Sequence, residues 1–76
     1  MFALNIKYLG PTDTKGSRVK CTGFGESMTR SYDSTLSARE NAEAIAKEFV
    51  TMHHPKGTLV GVGNTPDNQY VALVQL

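Results

Sequence analysis

Cys21, His53 and His54 are the residue types from which a nucleophile or a metal centre would be built. A thiol beside an imidazole becomes a nucleophile when the ring takes its proton. Cysteine and histidine are also the commonest soft ligands for zinc. The spacing argues against both readings. Adjacent histidines on a helix point about 100° apart and do not both reach one ion. The chain has one cysteine, and no Cys-x-x-Cys or His-x-x-x-His pair completes a ligand set. Val19 and Cys21 alternate with Arg18, Lys20 and Thr22, which points the thiol into a core as a small hydrophobe. No catalytic residue, metal ligand or cofactor is therefore expected.

The glycines at 57, 61 and 63 invite comparison with a phosphate-binding loop. Such a loop places its glycines between a strand and a following helix N-terminus, where backbone amides face the anion. Here they lie before or inside a strand, downstream of the helix, and are expected to let Phe24, Tyr8 or Tyr70 pack close. The carboxylates Asp13, Glu26, Asp33, Glu40, Glu43, Glu48 and Asp67 form no paired acid–base motif. Those on the helix read as its solvated face.

The cations carry more. Residues 1–33 hold five basic residues, Lys7, Lys15, Arg18, Lys20 and Arg30, against three acids, while 37–54 hold two bases against three acids. Alternation predicts that Lys7, Arg18, Lys20 and Arg30 share the sheet face turned away from the helix. A basic sheet face suits a nucleic acid or an acidic protein surface. It also serves simply to keep an open sheet wet.

The elements that position these residues are legible in the pattern. Phe2, Leu4, Ile6 and Tyr8 alternate with Ala3, Asn5, Lys7 and Leu9, a half-buried strand. Residues 10–17 hold nearly every turn-forming type and make a long loop. A second strand is expected over 18–24, with Gly23 and Gly25 bending the chain at Phe24, and a third over 27–32. Ser37-Ala38-Arg39-Glu40 is a capping box. Ala38, Ala42, Ile45, Phe49 and Met52 then recur at helical spacing until Pro55. Residues 58–63 and 69–75 form a hairpin around the turn cluster 64–68. The apolar run Val71–Val74 predicts a central last strand. The expected fold is a single α+β domain over 1–76, β-β-β-α-β-β, one helix packed on an antiparallel sheet. Ile45 and Phe49 should pack on Leu4, Ile6 and the last strand. Phe2, Leu9 and residues 70–76 are expected to supply apolar material at sheet edges for a homodimer or partner pairing.

Composition bounds the rest. Seventy-six residues make one small domain, with little room for a dry catalytic pocket beside a core. Eight basic against seven acidic residues leave +1, which excludes a histone-type polyanion binder and an acidic DNA mimic. A single cysteine excludes an internal disulfide and suits a reducing compartment. No apolar run approaches the ~20 residues of a membrane span, and no targeting segment is read at the N-terminus. A cytoplasmic protein is expected.

Three blocks carry a resemblance: Lys7-Tyr8-Leu9-Gly10-Pro11-Thr12, then Thr14-Lys15-Gly16-Ser17-Arg18-Val19-Lys20, then Ser31-Tyr32-Asp33 ahead of the helix. Together they resemble a family of short, mostly uncharacterised bacterial and phage or mobile-element proteins, over roughly residues 4–50. The resemblance implies an accessory protein and supplies no catalytic residue, substrate or cofactor. The β-rich, single-helix build also resembles small phage inhibitors of host defence nucleases, a likeness of architecture. The expected function is a small non-enzymatic interaction module. It would bind a protein partner, as an inhibitor of host machinery, through the open sheet face or the 10–17 loop. The alternative is a nucleic-acid-binding protein. Its contacts would be Lys7, Lys15, Arg18, Lys20 and Arg30 in either case.

Overall fold

The computed structural model describes residues 2–11, 13, 16–66 and 69–76. Five strands and one helix follow in the expected order: β1 (Phe2–Leu9), β2 (Arg18–Gly23), β3 (Glu26–Ser31), α1 (Ala38–His53), β4 (Thr58–Asn64) and β5 (Tyr70–Gln75). They form one antiparallel sheet of order β3-β2-β1-β5-β4, with α1 packed on one face. The fold is α+β. The last strand is interior, between β1 and β4, as its apolar run requires. It is covered on one face only, and Leu73 remains 40% exposed.

Alternation decides which residues meet the helix. Leu4 and Ile6 of β1, Val19 and Cys21 of β2, Val62 of β4, and Ala72 and Val74 of β5 are all buried. Opposite them lie Ala42, Ile45, Ala46, Phe49 and Val50 of α1. Phe49 is the largest fully buried side chain.

The capping box starts the helix as expected. Ser37 Oγ accepts the Glu40 amide at 3.1 Å, and Glu40 Oε1 accepts the Ser37 amide at 3.1 Å. Asn41, which has no place in the apolar stripe, is 2% exposed and ties down the segment before the helix. Its Oδ1 accepts the Asp33 amide at 2.8 Å, and its Nδ2 donates to the carbonyls of Asp33 at 2.9 Å and Ser37 at 3.0 Å. Arg39 fastens the other flank by donating to the Val62 carbonyl of β4.

The β2–β3 connection is a two-residue turn, Phe24-Gly25, with φ of +54° and +74°. Two successive positive φ values match the right-handed twist of a hairpin. Gly25 meets that demand freely, whereas Phe24 bears a cost of ~1–3 kcal/mol. Its ring offsets the cost by packing on Phe2 (4.7 Å between centroids), His54 (4.0 Å) and Phe49 (6.5 Å). Gly23 beside it leaves room for the Leu4 side chain, whose end would have to shift to admit a Cβ there.

Two expectations change. Gly61 and Gly63 accommodate no close neighbour: no atom of the described residues lies within 4 Å of a Cβ built on either. The close approach falls at Gly57, against Leu76, Val74 and the His54 carbonyl. The edge assignment also moves. Phe2 and Leu9 of β1 and the strand at 70–76 lie in the sheet interior, and the edges are β3 and β4. The 64–68 turn is described only in part, since Asp67 and Asn68 lie outside the described residues.

Phe49→Ala should cost ~3–5 kcal/mol, because it empties the centre of the core and withdraws support from Phe24. In so small a domain that loss should unfold much of the population, read by thermal melting. Asn41→Leu keeps similar bulk but strands the Asp33 amide, while the Asp33 and Ser37 carbonyls keep only the backbone amides of Leu36 and residue 41. It should cost ~1–3 kcal/mol in a denaturant titration.

Candidate functional site: the uncovered basic face

The helix leaves the other sheet face without a layer. Register places residues in cross-strand rows on it: Leu9–Arg18–Ser31, Lys7–Lys20–Thr29, Asn5–Thr22–Ser27 and Ala3–Leu73–Gly61. Lys7 and Lys20 are direct cross-strand partners, both exposed. Like charges placed opposite each other destabilise a sheet pair. Arg18 stands two residues along from Lys20 on the same face, about 7 Å away. No carboxylate occupies an open-face strand position among the described residues. The β1–β3 half of the face thus presents Lys7, Arg18 and Lys20 among the hydroxyls of Thr22, Ser27, Thr29 and Ser31.

Arg18 is half-buried beside Leu9, and its Nε is buried with no hydrogen-bond partner among the described residues. An orphaned donor of this kind costs ~1–3 kcal/mol, which an incoming oxygen acceptor would recover. The β5–β4 half is different in character. Ala3, Val71 and Leu73 stand beside Gly61 and Gly63, whose positions carry no side chain, so this half is flat and apolar.

Arg30 does not belong to the face. It is the register partner of Val19, which is buried under the helix, and its guanidinium pairs with Glu48 of α1 at 2.8 Å. The alternation of 27–32 already put Arg30 with Met28 and Tyr32. What the sequence lacked was which side of β3 faces the helix. Lys15, the fifth expected contact, lies outside the described residues, as do Thr12 and Thr14 of the same loop.

The thiol and the imidazoles are drawn apart into structural contacts. Cys21 is fully buried, and burial pushes its thiol from 9.0 up to about 11. His53 Nδ1 lies 2.6 Å from Glu26 Oε2, and its ring packs on Phe49 at 4.7 Å. His54 caps Phe24. Among the described residues no group of three or more His, Cys, Asp or Glu side chains stands together as a metal site. No helix there is long and apolar enough to cross a membrane. Asp33 is a turn residue as expected: the Thr35 hydroxyl and amide both donate to its carboxylate and hold its pKa below the usual carboxylate value.

The Cys21 thiol should resist alkylation in the native state and react once the chain unfolds. The unfolded chain releases that proton near pH 9, while the folded chain holds it to about pH 11. Over that window the unfolded state binds fewer protons, so stability falls as pH rises. The contribution is complete below pH 9 and lost through about pH 11. Cys21→Ala should remove this part of the alkaline decline in parallel denaturant titrations. Comparison of the chain with protein-family models, with curated proteins and with solved structures finds no match.

Proposed function

We propose that the protein is a small non-enzymatic interaction module whose open sheet face docks an acidic protein surface. The observation that carries this reading is the direct opposition of Lys7 and Lys20 beside Arg18, with no acid at a strand position of the face among the described residues to balance them. Such an arrangement costs stability in the free protein and is relieved by an anionic partner. The flat apolar half next to it, Ala3, Val71 and Leu73, supplies the dehydrated centre that a protein interface uses. An accessory role in a phage or mobile element, including inhibition of host machinery, belongs to the same reading and draws on the resemblance of the N-terminal blocks. A cytoplasmic setting belongs to it as well, supported by the lone buried thiol.

A nucleic acid is the second reading, favoured by the same three cations. Two features weigh against it. Arg30 is engaged by Glu48, which leaves three cations on the described face of a chain with net charge +1. No aromatic ring stands at an open-face strand position to stack a base, since Phe2, Tyr8 and Tyr70 all alternate to the helix side.

Fluorescence anisotropy against single- and double-stranded DNA and RNA at two salt concentrations, with affinity capture of proteins, separates the readings. The protein reading expects no nucleic-acid binding at ~150 mM salt. It also expects a captured partner that Leu73→Asp releases and that Arg18→Ala with Lys20→Ala slows in association. Nucleic-acid binding at that salt, weakened in the double variant with a salt slope flattened by about two, would overturn it.

A further inference from the structure

The two edges of the sheet are unlike. β4 carries a register shift between Leu59 and Gly61 that leaves Val60 as an extra residue, and a bulge of this kind spoils an edge for pairing. β3 pairs with β2 in unbroken register from Glu26 to Ser31, and it holds no proline or bulge.

Its free hydrogen-bonding groups can be assigned. Residues flanking a two-residue turn form a hydrogen-bonded pair, so Glu26, Met28 and Arg30 direct their backbone groups at β2. The Tyr32 amide continues that parity by donating to the Ser17 carbonyl at 3.0 Å. Ser27, Thr29 and Ser31 therefore direct their amides and carbonyls outward. Alongside β3, on the helix face, runs a groove of about 640 Å³ lined by Met28, Arg30, Lys47, Thr51 and Met52. Met52 is 67% exposed there.

We propose that β3 pairs antiparallel with β3 of a second copy of this chain, about a two-fold axis at Met28, to form one ten-stranded sheet. The strand is self-complementary in that register. Met28 meets its own copy, Ser27 meets Thr29 of the other chain, and Glu26 meets Arg30. Ser27 and Thr29 are the residues with outward backbone groups, so both Ser27–Thr29 pairs exchange two hydrogen bonds each. Met28 falls at a non-hydrogen-bonded position, where Cα atoms approach to about 4.5 Å. The two grooves then merge, and Met28 and Met52 from each chain fill the joint, a use that suits flexible thioether side chains.

Opposite charges, Glu26 and Arg30, meet across the joint. His53 and Glu48 hold Glu26 and Arg30 within one chain. Pairing produces the sequence His53–Glu26–Arg30–Glu48, its last two members from the other copy. A two-fold register centred on Thr29 offers more hydrogen bonds but sets Met28 against Arg30 and leaves Glu26 without a cation, so charge selects Met28. The Lys20 residues of the two copies, three strands apart and offset by two residues, would stand roughly 16 Å apart, beyond the screening length at physiological salt. The basic face therefore does not oppose the union.

Sedimentation of four proteins tests this, with circular dichroism confirming that each is folded. The parent chain should show a reversible, concentration-dependent dimer. Glu26→Arg alone and Arg30→Glu alone each create two like-charge contacts, and each should weaken self-association about tenfold or more. An equimolar mixture of the two variants restores opposite charges at both positions and should recover the dimer. Thr29→Pro removes an outward amide, which an edge strand tolerates in the monomer, and should also abolish dimerisation. It carries the test if a charge variant does not fold. A strict monomer for the parent at ~1 mM, charge variants that dimerise as the parent does, or a mixture that stays monomeric would each overturn the proposal.

Discussion

A sixteen-residue helix is about 24 Å long and about 10 Å wide with its side chains, and a sheet of five strands is roughly as broad as that helix is long. With only this helix against the sheet, one face is covered along a single stripe and the other is left in water. The positions of the remaining residues follow from that shortage. Large apolar side chains at alternate positions of four strands converge on Phe49 and Ile45. The same strands turn lysines, hydroxyls and small residues the other way. The uncovered face, which carries the proposed function, and the uncovered flank of β3, which carries the proposed self-pairing, are two consequences of one helix having limited reach.

The corner where the helix ends shows how so small a core is closed. Phe24 occupies a backbone conformation unfavourable for a bulky residue, and Phe2, Phe49 and His54 hold it there. Edge strand β3 has little apolar surface of its own, with Met28 half-buried and its neighbours polar. It is fastened to the helix by polar contacts instead, through Glu26 with His53 and the ion pair of Arg30 with Glu48. Each such exposed or half-exposed pair contributes under about 1 kcal/mol. That suffices to orient a strand already zipped to β2 while leaving its outer edge available. The histidines, which resembled chemistry in the sequence, thus serve the attachment of this hairpin.

The expected inward pointing of Cys21 and the strictness of the strand alternation have the same origin. A side chain on a strand must face one of two ways, and burial of Leu4, Ile6, Val19 and Cys21 on one side leaves Lys7, Arg18 and Lys20 no alternative. The basic face was therefore readable as to its members on β1 and β2. That Lys7 stands directly across from Lys20 required the register.

Local chemistry was within reach of the sequence by itself. The capping box at Ser37 and Glu40, the 3.6-residue apolar stripe to Phe49, the stop before Pro55 and the period-two strands are contests settled among neighbours along the chain. So was the helix-on-antiparallel-sheet class, because six such elements in that order admit few ways to bury their apolar faces. The interior place of β5 was legible in its apolar run, but the rest of the strand order was decided only in three dimensions. It made β3 and β4 the edges, and it put Arg30 on the helix face beside Glu48. Asn41 likewise reads as a polar residue on a helix until the 33–37 segment folds back and surrounds its amide with backbone partners. The physical reason is the same in each case. Periodicity records that a side chain must be buried or exposed, whereas its partner is set by non-local pairing whose sequence signal is shared among many residues.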